Sequence, residues 1–275
     1  MNSTSKTAGN AHPPGKIVYE FDETTGIARL VISNVSRYNA MSLSMWESLH
    51  KHVKDAEGSP DVRVLVLIGD GEKAFISGAD ISEFAHLRNS PEQVKRYAEA
   101  VDAAQQSLAN SSKPVIAAIR GVCMGGGIGL ALASDLRYCS ASSKFRMPAA
   151  KMGLGYDRHG LARAVAVLGA ARATDIFFTA RTFDGKEAAR IGMVHDAFDD
   201  DRFDDEIQAI ASAIAGNAPL TLRAAKLAIR LAIGDPGITD VSDVDRAVQA
   251  CFDSTDYQEG QAAFREKRAP RFTGR

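Results

Sequence analysis

The sequence predicts an α/β fold, with a core of repeated strand–strand–helix units over 16–200 and a helical region over 201–275. Three observations predict it. Short β-branched runs bounded by turn residues alternate with stretches of helical periodicity through the first two thirds of the chain. Two of these regions carry glycine-rich turns that lead into helices. From about Asp204 helical patterns follow one another at 204–215, 219–232, 240–252 and 256–268 with no strand between them.

Ile17–Phe21 and Ile27–Ile32 are β-rich runs joined by a five-residue turn ending in Gly26, a hairpin signal. Ser42 can cap a helix over roughly 43–56, in which Leu43, Trp46, Leu49 and Val53 fall near helical spacing, and Gly58-Ser59-Pro60 ends it. Val62–Ile68 reads VRVLVLI, as expected of a buried strand. Pro91 opens a helix reaching about Ala109, and Val115–Ile119 is another buried strand.

Composition limits the functional classes. The 275 residues are 45% hydrophobic and 24% charged with a formal net charge of −1, which gives no bulk electrostatic case for nucleic acid or an anionic membrane. The three cysteines, Cys123, Cys139 and Cys251, form no CxxC pair and read as reduced thiols in a cytoplasmic compartment. Residues 1–15, MNSTSKTAGNAHPPG, lack an apolar segment and read as a disordered tail, not a secretory signal. No apolar run approaches the ~20 residues that span a bilayer.

The first glycine turn is Lys73-Ala74-Phe75-Ile76-Ser77-Gly78-Ala79-Asp80-Ile81; the second runs from Gly121 to Gly129 as GVCMGGGIG. Glycine lets backbone approach a ligand closely, and a helix start behind it leaves free N–H groups at a positive dipole end. Two such turns can aim two donors at one developing oxyanion. Other glycine-loop chemistries fit worse. Taking Gly125 and Gly127 as the start of GxGxxG puts Leu130 at its last position, no Lys-Ser/Thr follows Gly126 as a P-loop requires, and GxSxG is absent.

Five segments in order, RYNAM (37–41), AFISGADI (74–81), KPVIAAIRGVCMGGGIGLALASD (113–135), FFTARTFDGKEAARIGMV (177–194) and DYQEGQAAFREKRAPRF (256–272), resemble the crotonase (enoyl-CoA hydratase/isomerase) superfamily. The resemblance runs from about Ile17 to Arg275 and implies a spiral of ββα units with a helical C-terminal region, assembled as a homo-trimer or dimer of trimers. It implies an acyl-CoA substrate whose thioester carbonyl is held by the N–H groups of Ala79 and Gly126, with no cofactor beyond the CoA of the substrate. Arg37, Ala40, Ile76 and the run Ala79, Asp80, Ile81 and Ser82 match positions at the CoA pocket. Phe264 and Lys267 match positions that reach the CoA of a neighbouring subunit, although Lys267 also reads as a solvated surface charge.

The resemblance breaks at the two glutamates of the family's hydratases, whose positions are held by Gly129 and Ala149. Neither can titrate, so the two-glutamate mechanism is missing its acid–base groups. Asp157, eight residues beyond Ala149, stands at an offset that is catalytic in dienoyl-CoA isomerases and 4-chlorobenzoyl-CoA dehalogenases of the family. It is equally suited to cap a helix at about 158–167. Tyr156 matches a tyrosine near the active site of methylmalonyl-CoA decarboxylases, which carry a histidine where this chain has Ala79. Asp80 and Glu83 read as capping groups, Cys123 and Met124 as packing, and Arg158 and His159 as surface or scaffold residues. His50 and His52, two apart on a helix, point to different faces, and no metal is expected.

The residues therefore point to an enzyme that stabilises a thioester enolate within the hydratase/isomerase range, with Asp157 as acid/base. Decarboxylation or thioester hydrolysis on the same fold, and a CoA-thioester binding protein with little turnover, stand as alternatives.

Overall fold

A computed structural model describes residues 13–87, 89–235, 237 and 240–275, so most of the tail expected over 1–15 lies outside the described residues. The chain opens with an antiparallel hairpin, β1 (Lys16–Asp22) and β2 (Ile27–Ser33), turning through Gly26 at φ 70°. Helix α1 (Leu43–Gly58) follows, its N-terminus capped by the Ser42 hydroxyl accepting from the Met45 amide. Next come three strand pairs, each ending in a helix. β3 (Val64–Gly69) and β4 (Ala74–Ile76) lead to the short α2 (Phe84–Leu87) and the long α3 (Pro91–Asn110). β5 (Val115–Ile119) and β6 (Val122–Met124) lead to α4 (Gly126–Ala133); β7 (Leu136–Ser140) and β8 (Lys144–Arg146) lead to α5 (Arg158–Thr179).

The first member of each pair joins a six-stranded sheet ordered β1-β2-β3-β5-β7-β10, parallel except at the hairpin. The second member joins a four-stranded sheet ordered β4-β6-β8-β9. Each ββα unit thus adds one strand to both sheets, which makes the path a spiral. β9 (Thr182–Asp184), α6 (Gly185–Arg190) and β10 (Asp196–Phe198) close both sheets, and α7 (Phe203–Ala215), α8 (Pro219–Ala232), α9 (Val241–Phe252) and α10 (Thr255–Glu266) complete the chain.

Strand periodicity explains why the VLVLI stretch of 64–68 is apolar throughout. Leu65 and Leu67 face the interior between the sheets with Leu30, Ala117 and Ile119, whereas Val64 and Val66 face the other side with Ile27, Ile116 and Ala118. α7 covers that second side with Phe203, Ile207, Ala211 and Ala215. Both faces of the sheet are therefore buried, as parallel sheets require. In packing terms α7 sits with the α/β layers, although it lies beyond residue 200.

Two differences from the sequence reading have local causes. The short strands β4 and β6 occupy what reads as glycine-rich turn, since three residues are too few to show a period of two. Helix α5 is two helical stretches joined at a kink: the first stops at Gly169 (φ 73°, ψ 158°), close to the expected 167, and a second, not anticipated in the sequence, continues to Thr179. At the C-terminus the buried Asp256 carboxylate accepts the Thr273 and Gly274 amides (2.6 and 2.8 Å), folding the last residues back onto the start of α10.

Phe203 is fully buried, with the Arg120 guanidinium 4.9 Å from its ring centre. Phe203→Ala leaves a cavity between α7 and the sheet and is expected to cost about 3–5 kcal/mol, read as a lower midpoint in chemical denaturation.

Candidate functional site

The two glycine turns lie side by side because β4 and β6, which precede them, are neighbours in the small sheet. In the first turn Ala79 forms a parallel bridge with Met41: the Met41 amide donates to the Gly78 carbonyl (2.8 Å) and the Asp80 amide to the Met41 carbonyl (2.9 Å). This register spends the groups flanking Ala79 and turns the Ala79 N–H to the opposite side. In the second turn the Gly125 amide donates to the Arg146 carbonyl (3.1 Å), and Gly126 is the first residue of α4. Among the described residues neither the Ala79 nor the Gly126 amide has a backbone acceptor. Each follows a glycine of positive φ, Gly78 at 125° and Gly125 at 50°, settings that side chains disfavour.

Both amides border a cavity of ≈ 410 Å³. Its walls are mostly apolar. α3 presents a helical stripe of Val94, Tyr97, Val101, Asp102 and Gln105, and Met147, Pro148, Ala149 and Met152 form the side beyond β8. Trp46 stands behind Gly126, where an added Cβ would meet its ring at 3.0 Å, and its indole N–H donates to the Tyr97 hydroxyl (3.3 Å). A larger cleft of ≈ 950 Å³, between the β1–β2 turn and the C-terminal residues, is lined by charged groups such as Arg63, Lys113 and Arg223 and receives neither glycine turn.

Gly129 is buried one turn along α4 from Gly126. A Cβ there would sit 2.7 Å from Gln105 Nε2 and 2.9 Å from the Tyr156 hydroxyl, so the space beside it is already filled. Restoring a glutamate at 129 would require both side chains to move. Tyr156 lines the cavity, packs edge-on against Phe177 (5.0 Å), and its hydroxyl is buried with no hydrogen-bond partner among the described residues. Burial, with the Asp157 charge adding, pushes the Tyr156 phenol pKa well above its ordinary value, so it stays protonated.

Asp157 also lines the cavity but is exposed, and its Oδ1 accepts the Gly160 amide at 2.7 Å as the N-cap of α5. His159 Nδ1 lies 3.3 Å from Asp102 Oδ1. Ligand atoms of Asp102, Asp157 and His159 fall within 4.8 Å of one another, which places the histidine beside Asp157 at the rim.

Arg37, Asp80 and Ser82 are committed to each other. Arg37 donates to both Asp80 oxygens (2.8 and 2.7 Å) and to the Ser82 hydroxyl, and Asp80 accepts the Ser82 amide at 3.0 Å. Burial alone would raise the Asp80 pKa; the Ser82 hydroxyl and amide and the Arg37 guanidinium outweigh it and hold the carboxyl below its usual value. Ile81 is 67% exposed and borders the cavity. Ile76 and Ala40 do not form its wall: Ile76 is fully buried against Gly127, and Ala40 is buried with its carbonyl accepting from Asn34 Nδ2. Glu83 accepts the Leu43 amide (2.8 Å) and so caps α1, a pairing hidden by forty residues of separation. His50 meets the Ala103 carbonyl and His52 stacks on Tyr19, on different faces of α1. Phe264 and Lys267 are exposed on and just after α10 and are not among the residues lining this cavity. Gln105, which the sequence reading does not single out, is the group it missed. Its signal was the i, i+3, i+4 stripe of α3, visible only once that helix faces the glycine turns.

The sequence model described as enoyl-CoA hydratase/isomerase matches residues 22–275. A peroxisomal Delta(3,5)-Delta(2,4)-dienoyl-CoA isomerase of Arabidopsis thaliana is 32% identical, covering 90% of this chain and 93% of that protein. A mitochondrial methylglutaconyl-CoA hydratase of Rattus norvegicus is 30% identical over 92% of this chain and 81% of its own. Among solved structures, an enoyl-CoA hydratase/carnithine racemase from Magnetospirillum magneticum superposes with a TM-score of 0.87 at 36% identity, over 96% of this chain and 97% of that one. An enoyl-CoA hydratase from Bacillus anthracis gives 0.86 at 28% identity, over 94% and 100%. No helix among the described residues is long and apolar enough to cross a membrane. From the paired glycine turns to the last helix, the chain belongs to the enoyl-CoA hydratase/isomerase, or crotonase, family.

Proposed function

We propose that this protein binds an acyl-CoA thioester and stabilises its enolate between the Ala79 and Gly126 amides. The observation that carries this reading is the pair of uncommitted N–H groups bordering one apolar cavity. Donors fixed in place before reaction stabilise developing negative charge without reorganising, and low-dielectric walls strengthen the effect. CoA arrives as part of the substrate, and the chemistry asks for no further cofactor. Asp157 is the acid/base that moves the proton in an isomerisation or hydration; its second oxygen is not used by the cap. A different observation favours decarboxylation or thioester hydrolysis: the wall at Gly129 holds a phenol and an amide instead of a carboxylate. Loss of CO₂ forms the enolate without a base. A binding protein with little turnover would keep the cavity and need no titrating group at Asp157. Two buried, reduced cysteines favour a reducing compartment such as the cytoplasm.

The working form is a homo-oligomer, a trimer or dimer of trimers. Phe264 is 86% exposed, and beside it Phe252, Tyr257, Phe272 and Leu220 line an apolar cleft of ≈ 670 Å³ among the last three helices. Apolar surface of this kind marks an interface, here with a second copy of the chain.

Ala79→Pro removes one donor at a position that donates nothing to the Met41 bridge, and a circular-dichroism spectrum and Tm matching the natural protein's check that the fold is kept. With an acyl-CoA substrate identified from a panel of enoyl, dienoyl and malonyl-type esters, kcat is expected to fall about 10²–10³-fold. An unchanged kcat would remove Ala79 from the reaction.

Asp157→Asn retains a good N-cap and loses the titrating group, whereas Asp157→Ala loses both. The expected result is a kcat drop of about 10²–10⁴ in both variants, with a stability loss of about 1 kcal/mol in the alanine variant alone. Full activity in the asparagine variant would leave Asp157 as a cap and favour the base-free reactions.

Phe264→Asp is expected to shift the sedimentation coefficient towards that of a monomer; an unchanged assembly would take Phe264 out of the interface.

A further inference from the structure

An enolate that is to become an isomer needs a group that takes a proton from one carbon and a group that returns it to another. Among the described residues two carboxylates line the cavity, Asp157 at the start of α5 and Asp102 on α3. Asp102 is the one charged member of the α3 stripe that faces the two glycine turns. His159 joins the pair: its Nδ1 lies 3.3 Å from Asp102 Oδ1, and one atom each of Asp102, Asp157 and His159 fall within 4.8 Å of one another. Each carboxylate spends one oxygen on a fixed partner, Asp102 Oδ1 on the imidazole and Asp157 Oδ1 on the Gly160 amide. The bonded oxygen sets the orientation of each group, and among the described residues neither Oδ2 is hydrogen-bonded. The phenols on the same wall offer no such pair, since burial keeps Tyr156 protonated.

We infer that Asp102 is the second proton-transfer group of this site, returning to the γ-carbon of a β,γ-unsaturated acyl-CoA the proton that Asp157 takes from its α-carbon. In the first step the α C–H bond breaks, its electron pair enters the enolate whose oxygen lies at the Ala79 and Gly126 amides, and the proton joins the Asp157 carboxylate. The His159 imidazole then receives that proton and gives one from Nδ1 to Asp102 Oδ1, a shuttle for which its two nitrogens suit it. In the last step the enolate electrons form a C–H bond at the γ-carbon with the proton of Asp102, and the double bond moves into conjugation with the thioester. Both carboxylates end charged and the imidazole neutral, as they began, so the cycle consumes no other reactant. His159 acts through Asp102 and is a positioning and relay residue. The inference rests on the acyl-CoA reading above and narrows it to isomerisation with a second carboxylate.

The test is 3-hexenoyl-CoA in D₂O with the full chain, following conversion to 2-hexenoyl-CoA by absorbance and deuterium at the α-carbon of recovered substrate by mass spectrometry. Binding of the ester is measured by calorimetry alongside. Asp102→Asn keeps an oxygen for His159 to meet and loses the acid. Its conversion is expected to fall about 10²–10⁴-fold. Its recovered substrate is expected still to take up deuterium, because Asp157 forms the enolate and, being exposed, exchanges its proton with solvent. Asp157→Asn is expected to lose exchange and conversion together. His159→Ala is expected to repeat the Asp102→Asn pattern, with conversion slowed and exchange kept, which a residue that only ties α3 to α5 would not do. Unchanged conversion in Asp102→Asn, or loss of exchange along with conversion, overturns the role of Asp102; unchanged conversion in His159→Ala overturns the relay through the imidazole. Binding of the ester by the natural protein with neither exchange nor conversion overturns the inference and leaves the acyl-CoA reading standing. Failure of the ester to bind overturns both.

Discussion

Two backbone amides, of Ala79 and Gly126, left without acceptors among the described residues are the constraint on which the arrangement of this protein depends. An N–H turned towards a cavity goes without a protein acceptor only where the chain around it is held and cannot turn it back. Here the neighbours are held on both sides. Met41 spends both its backbone groups on Gly78 and Asp80, and Arg146 takes the Gly125 amide. Ala79 and Gly126 are then fixed with their donors outward. Gly78 and Gly125 make this possible through φ values of 125° and 50°.

The two sheets supply the placement. Because each ββα unit contributes a strand to both, neighbouring units bring equivalent corners together, and the corners after β4 and β6 are the two glycine turns. Rigidity comes from the layers on either side. Trp46 stands against Gly126, and Gly127 fits against the Ile76 carbonyl and side chain with no room for a Cβ. Sequence positions near the site are thus divided between those that touch the cavity, such as Ala79 and Ile81, and those that hold it in shape, such as Ile76, Ala40 and the Arg37–Asp80 pair.

Much of this was legible in the sequence because the signals are local. The hairpin, the capped helix from Leu43, the Val115–Ile119 strand and the C-terminal helices all follow from turn residues and periodicity within a short window. Both glycine turns could be found for the same reason. Whether the Ile76 side chain packs inward or lines a cavity is not written locally, because a three-residue strand leaves too little alternation to tell one from the other. Pairings across long separations were hidden as well: Glu83 with the Leu43 amide, Lys226 with Asp135, and Gln105 with Gly129. Each depends on where two helices or a helix and a strand end up, and no local signal carries that.

Gly129 shows how a position can read as an absence in the sequence and as a fit in the structure. Taken alone it is the place where a carboxylate should stand and does not. In three dimensions it is the residue that lets Tyr156 and Gln105 approach the helix, since any side chain would collide with both. The glycine, the tyrosine and the glutamine therefore form one unit, and changing the first without the others gives a clash in place of a recovered acid. This wall carries hydrogen-bond donors in a dry setting, where burial keeps the phenol protonated. The rim differs, because there the carboxylate of Asp157 stands in contact with solvent.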